Sequence, residues 1–235
     1  MNDLSAAFAA AFVMITTFDS DLIEIVGLSL RVSLSAVVMA ALIGLPTGAA
    51  LAVVRFPGRS VVIAVLNVLM GLPPVVAGLA IYLLLSRAGP LGNWGLLYTP
   101  EAMIIAQTVL VTPIVAALTR QMIEDLHGAY DEQLRAFGLG WSSVVATLLW
   151  EARIGLFTVL LAGFGRAVAE VGAVIIVGGN INHVTRVMTT AIALETSKGA
   201  LDLALGLGIV LLVIVLAVNG AAGALRLTMA GRAHA

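Results

Sequence analysis

Arg166 and Glu170 lie four residues apart inside "GFGRAVAEVGAVIIVGGNI" (163–181), a stretch otherwise made of apolar and small residues. Residues at that spacing share one helical face. A charge held near the middle of a bilayer costs several kcal/mol on insertion scales, so such side chains turn toward protein or water. Two readings stand side by side. In one, Arg166 attracts a dianion in a translocation path while Glu170 holds a gate shut; in the other, the two form a permanent ion pair that ties helices together. Arg first and Glu four later is the less favourable order within one helix, which favours partners on other helices. Just beyond, Asn180, Asn182, His183, Thr185 and Arg186 make a short polar patch. It reads either as a receiving surface for a released anion or as a hydrated loop.

A second concentration of polar chemistry is "DEQLRAFGLGWSSVVATLLWEAR" (131–153). Leu134, Phe137, Trp141, Val145 and Leu148 recur at steps of three and four, the spacing of one helical face. Gly138 and Gly140 interrupt that stripe. The pattern predicts a short amphipathic helix, a tight glycine corner and a second helix leading onward. Such an element docks in a groove on a soluble partner or rests on the membrane surface.

Other chemistries find no support. There is no cysteine, three scattered histidines have no metal-ligand spacing, and no glycine-rich phosphate loop ends in Lys-Ser/Thr. The serines of "GWSS" (140–143) fall outside any apolar segment, far in sequence from His183, which argues against an intramembrane enzyme. The net charge of −1 offers no basic surface for nucleic acid.

What must position these residues is a set of membrane helices. The chain has 235 residues, 61% hydrophobic and 11% charged, with mean hydropathy +1.11. Soluble domains carry about 25% charged residues, and this much apolar surface cannot hide in one soluble core. Five segments suit transmembrane helices: Leu22 to Val54, Val61 to Leu85 with "GLPP" (71–74) inside it, Ala102 to Thr119, Leu156 to Val177, and Leu203 to Leu225. Pro46, Pro73, Pro74 and Pro113 predict kinks, although Pro113 also fits the ordinary tolerance of proline in such helices. Residues 4–18 are short for a span and read as a helix lying on the membrane surface, with an extra span as the alternative, giving an N-terminal segment 1–21. A membrane domain 22–225, with its polar region at 121–153, and a tail 226–235 follow. Gly44 and Gly48 in "GLPTG", with Gly163, Gly165 and Gly172, suit close helix packing, within one chain or between two.

Basic residues orient these spans. Arg55, Arg59, Arg120, Arg135, Arg153, Arg226 and Arg232 fall on one side, and Arg87, Arg186 and Lys198 on the other. The positive-inside rule places the larger group in the cytoplasm, with the N-terminus outside and the C-terminus inside.

The same residues carry a family resemblance. The membrane subunits of binding-protein-dependent ABC importers share a cytoplasmic motif: Glu-Ala-Ala, three residues, Gly, nine residues, Ile, one residue, Leu-Pro. Here Glu132-Gln133-Leu134 takes the first three places, Gly138 the glycine and Leu148 the isoleucine, while Trp150-Glu151 replaces Leu-Pro. "NVLMGLPPVVAGLAIYLLLSRAGPLG" (67–92), "IIAQTVLVTPIVAAL" (104–118), 163–181 and "TRVMTTAIALETSKG" (185–199) resemble the tungstate-importer branch, kin of the molybdate permeases. The resemblance runs from about Glu24 to Asn219.

It implies an all-α polytopic membrane protein of the type I ABC importer fold, with five core helices plus the N-terminal interfacial helix. It further implies a permease homodimer in the cell inner membrane. Glu132, Leu134, Phe137 and Gly138 would couple each copy to one of two ATP-binding subunits, which hold ATP and Mg; this chain would need no cofactor. An extracytoplasmic binding protein would deliver the oxyanion, and Arg166, Glu170 and Asn180 would belong to the pathway or gate. Tungstate and molybdate share charge and nearly share size, and nothing in the helix pattern chooses between them. A secondary transporter is the competing transport class, but no second, inverted copy of any segment is visible.

Overall fold

Asp19 begins the first long helix by accepting hydrogen bonds from the backbone N–H groups of Asp21 (3.0 Å) and Leu22 (3.2 Å). In the computed structural model, residues 19–233 are described, apart from the side chains of 135, 222 and 225–233, together with residues 8, 9, 12, 13, 16 and 17. The expected surface helix at 4–18 therefore falls largely outside the described residues. The elements are α1 (Ser20–Val53), α2 (Arg59–Met70), α3 (Pro74–Leu85), a 3₁₀ turn (Gly92–Trp94), α4 (Pro100–Ala136), α5 (Trp141–Glu151), α6 (Arg153–Val168), α7 (Gly172–Gly178), α8 (Met188–Lys198) and α9 (Leu201–Ala233). All regular structure among the described residues is helical. The chain is an all-α polytopic membrane protein.

Three helices, α1, α4 and α9, are each long and apolar enough to cross a bilayer. The pairs α2/α3 and α5/α6 also qualify if each bent pair is one span, giving three to five. The prolines act unequally. Pro46 and Pro113 lie inside unbroken helices, whereas the chain turns by 102° between α2 and α3. The difference is in the neighbours: Gly71 ends α2, and Pro74 occupies the first position of α3, where a missing N–H costs nothing.

α4 packs most extensively on α1. Their approach rests on "GLPTG": a Cβ on Gly44 would come within 2.9 Å of the Val115 side chain, and one on Gly48 would run into the Ala116 carbonyl. A Cβ on Gly163 would similarly meet Val111 at 3.0 Å. These glycines thus serve contacts within one chain, through van der Waals packing rather than hydrophobic expulsion. Gly165, in contrast, has open space beside it. Thr108 and Thr112 donate to the carbonyls of Ile104 and Thr108, both at 2.7 Å, so neither hydroxyl reaches another helix.

Three boundaries differ from the sequence reading. α4 runs without interruption from the third span through the first half of the polar stretch, so no separate amphipathic helix precedes the glycine corner. The fourth span is broken: α6 ends at Val168 and α7 starts at Gly172. α9 continues through 225 to Ala233, so the tail is an extension of the last helix.

Candidate functional site

The break at Ala169–Val171 is where Glu170 sits. Its carboxylate is 2% exposed and takes Arg166 Nη1 at 2.6 Å and the Ala173 backbone N–H at 3.0 Å. Arg166 belongs to the last turn of α6, Glu170 to the gap itself and Ala173 to the first turn of α7. The two charges therefore pair with each other within one segment, not with other helices as the charge order suggested. The break changes the geometry: Glu170 no longer follows Arg166 along a regular helix, so the helical orientation rule does not apply. Thr189, from the start of α8, donates to the Glu170 carbonyl at 2.8 Å. Gln107 of α4 donates to the Ala167 carbonyl at 2.9 Å, a second bond beside the one that carbonyl accepts from the Glu170 N–H at 3.1 Å.

Gln107 is 3% exposed and its Oε1 is buried without a hydrogen-bond partner among the described residues. It borders a cavity of about 10 Å³ shared with Ser29, Ser33 and Thr189, room for about one water molecule. The Ser29 hydroxyl accepts the Met188 N–H at 2.8 Å, drawing α1 toward the start of α8. None of Ser29, Ser33, Gln107 or Thr189 was singled out from sequence. A glutamine within the apolar third span was the available signal, since a polar side chain at membrane depth needs a reason. Arg166 itself remains 33% exposed at the surface of the chain.

Asn180 stands apart from that pair. Its backbone is left-handed (φ 51°), and its side chain accepts from the Thr190 hydroxyl at 2.8 Å. This clamps the turn after α7 onto α8. In the same loop His183 Nδ1 lies 2.9 Å from Glu24 Oε2. The Glu24 carboxylate raises the His183 pKa above its ordinary value. Arg186 binds Glu195, which Lys198 also reaches at 3.1 Å.

At the opposite end, Gly138 makes the corner between α4 and α5 with φ 65°. L-residues pay about 1–2 kcal/mol for that conformation, glycine little. The predicted apolar stripe divides there. Leu134 (8% exposed), Val145 and Leu148 turn into the chain's own core, while Phe137 (78%) and Trp141 (62%) point outward. Leu134 is therefore a packing residue of this chain, and Phe137 at the corner offers the free apolar surface. Glu132 is exposed beside it. Trp150 is exposed as well, with the Arg153 guanidinium 5.1 Å from its ring centroid.

Residues 40–229 match the family model described as "Binding-protein-dependent transport system inner membrane component". The chain belongs to this family. The match encloses the corner at Gly138, the Arg166–Glu170 pair and the Asn180 clamp. A probable anion ABC transporter permease protein of Haloferax volcanii is 43% identical over 218 residues, covering 90% of this chain and 93% of its own. The tungstate uptake system permease protein TupB of Peptoclostridium acidaminophilum is 39% identical, covering 93% of this chain and 96% of its own. The sulfate transport system permease protein CysT of Escherichia coli is 31% identical over a shorter stretch, 59% of this chain and 52% of its own. As a member of this family the chain is a non-catalytic ABC transporter permease subunit, related to tungstate and sulfate oxyanion permeases alike.

Proposed function

We propose that this permease subunit carries tungstate across the cytoplasmic membrane in an ATP-driven importer. The observation that carries the reading is the likeness to a tungstate uptake permease along 93% of the chain. Two copies form the membrane unit, each docked on one of two ATP-binding subunits, which supply ATP and Mg. A binding protein delivers the anion from outside. Phe137 and Glu132 engage the ATPase at the Gly138 corner, and Leu134 supports them from within. ATP binding draws the two ATPase subunits together; the corners follow, and the population shifts toward the outward-facing state.

Arg166 faces the shared axis of the two copies, where water and the passing dianion meet it. A third-exposed guanidinium at membrane depth is costly against lipid, which supports that placement. Glu170 holds Arg166 in position, and the Asn180 clamp closes the pathway's outer end. The basic-rich ends, including Arg55, Arg59 and Arg120, face the cytoplasm.

The test is ATP hydrolysis by the complete transporter reconstituted in liposomes with its binding protein. Tungstate should stimulate hydrolysis and be taken up. Stimulation by molybdate alone transfers the assignment to the molybdate-selective alternative, and sulfate alone rules out both. Full transport by the isolated chain, without an ATPase, makes it a secondary transporter.

A further inference from the structure

We propose that the corner between α1 and α2 binds an anionic phospholipid, its phosphate at the corner and its acyl chains along α2. The corner encloses about 530 Å³, lined by Arg55, Phe56, Arg59, Ser60, Glu124 and His127. Arg59 is held rigid: its Nε donates to the Leu51 carbonyl at 2.7 Å and its Nη2 to Glu124 at 2.9 Å. Glu124 also binds Arg120, so one carboxylate serves two guanidiniums. Arg55 forms no ion pair among the described residues and is exposed. His127 lies 4.0 Å from Asp131. Three arginines against Glu124 leave the corner positive.

The backbone adds to that sign. α2 starts at Arg59 behind Gly58, which has φ 86° and no side chain to cap the helix. The positive end of this twelve-residue helix's dipole lies at the corner, while the Arg59 N–H is held by the Phe56 carbonyl and those of Val61 and Val62 by the Gly58 carbonyl. A phosphate there meets the positive end of the dipole and pairs with Arg55.

The flank of α2 selects a lipid over a free anion. No residue of α2 is buried, and Val61 (65% exposed), Val65 (51%) and Val68 (75%) recur at steps of four and three on one face. An exposed apolar ridge leading away from an anion pocket matches a headgroup with attached chains. Phe56, 39% exposed beside Arg55, sits where an aromatic ring anchors at a membrane interface.

The experiment uses the full-length chain purified in mild detergent with the subunits that accompany it. Retention of added dioleoyl-phosphatidylglycerol and dioleoyl-phosphatidylcholine is read by native mass spectrometry, with thermal unfolding in parallel. Phosphatidylglycerol should be retained at least about fivefold better, the scale of one basic residue at an anionic surface. Arg55→Gln should abolish that preference, Arg55→Lys should keep most of it, and Arg153→Gln should leave it unchanged. Equal retention of the two lipids overturns the proposal, as does an equal loss in Arg55→Gln and Arg153→Gln. So does stabilisation by water-soluble glycerol phosphate as large as that by phosphatidylglycerol, which assigns a free-anion site instead.

Discussion

Arg166 Nη1 sits 2.6 Å from Glu170 Oε2, yet the two ends of this pair live in different surroundings: the carboxylate is 2% exposed and the guanidinium side chain 33%. Glu170 is sealed in and depends on Arg166 for its countercharge. Arg166 still has a free side. That asymmetry makes the pair separable by mutation.

Arg166→Gln strands a buried carboxylate and should destabilise the chain by roughly 2 kcal/mol. This is below the roughly 3–5 kcal/mol typical when a fully buried pair is broken, because Arg166 is partly solvated. Arg166→Gln with Glu170→Gln should recover most of the stability. If Arg166 guides the anion, uptake stays low in the double variant although folding and ATPase assembly are normal. Full uptake by the double variant reduces the pair to a helix tie.

Leu134 and Phe137 should respond in opposite ways to truncation. Leu134→Ala removes a core side chain and should lower the stability of the isolated chain by about 2–3 kcal/mol. Phe137→Ala, at an exposed position, should change stability by no more than about 0.5 kcal/mol while weakening association with the ATPase subunit. A Cβ at Gly138 meets nothing within 4 Å among the described residues and the backbone there is left-handed, so Gly138→Leu should cost backbone strain plus any clash with a docked partner. Normal coupling in both the Phe137 and Gly138 variants removes the corner from the ATPase contact.

Sidedness can be read cleanly, because the chain contains no cysteine to mutate away. A cysteine at Gly128 should react with an impermeant thiol reagent only from the cytoplasmic face, and one at Lys198 only from the opposite face. Gly128 has open space around it, so the probe itself should be tolerated. Modification of position 128 from outside inverts the orientation and ends the docking role of the corner.

The His183–Glu24 contact should give the chain's stability a pH dependence of defined sign. His183 has a raised pKa in the folded chain, from the Glu24 hydrogen bond and charge with help from Asp21 and against Arg186. Its stabilisation is fully present below the unfolded pKa of about 6.5 and is lost as pH rises through the raised folded value. The melting temperature of the wild type should therefore fall between about pH 6 and pH 8.5 by more than that of His183→Gln. Parallel curves for the two proteins dismiss the contact as inconsequential.

Gly48→Ala forces a methyl group into the Ala116 carbonyl and should cost about 1–3 kcal/mol by overpacking. Gly128→Ala, on an exposed face of the same partner helix, should instead stabilise by up to about 1 kcal/mol through helix propensity. Detergent-solubilised melting curves separate the two. Equal melting temperatures mean that α1 and α4 do not rely on the close approach at Gly48.

The long helices were legible because their apolar runs exceed a bilayer's need: α1, α4 and α9 lie where the first, third and fifth spans were expected. The glycine corner was legible too, since Gly138 has the positive φ that its residue type permits. The break in the fourth span was not. No proline marks it, and it is held by tertiary bonds from Gln107 and Thr189, which no local pattern encodes. The inward turn of Leu134 was hidden for a related reason: it sits in α4 and Trp141 in α5, so the stripe they share in sequence is cut by the corner. Proline alone was a poor guide, as Pro46 and Pro113 show against Pro73 and Pro74.

α4 is unbroken from Pro100 to Ala136, about 55 Å of continuous helix at 1.5 Å per residue. One end begins just after Tyr98, whose N–H holds the Val177 carbonyl at 2.9 Å; the other delivers Phe137. Pro113 does not interrupt it, so a push at one end is carried along its length. Tilting it by roughly 10° about its midpoint carries each end roughly 5 Å, in opposite directions. The helix that anchors the core is thereby also a lever, and a small movement at the Gly138 corner reappears at the far face of the membrane with its direction reversed.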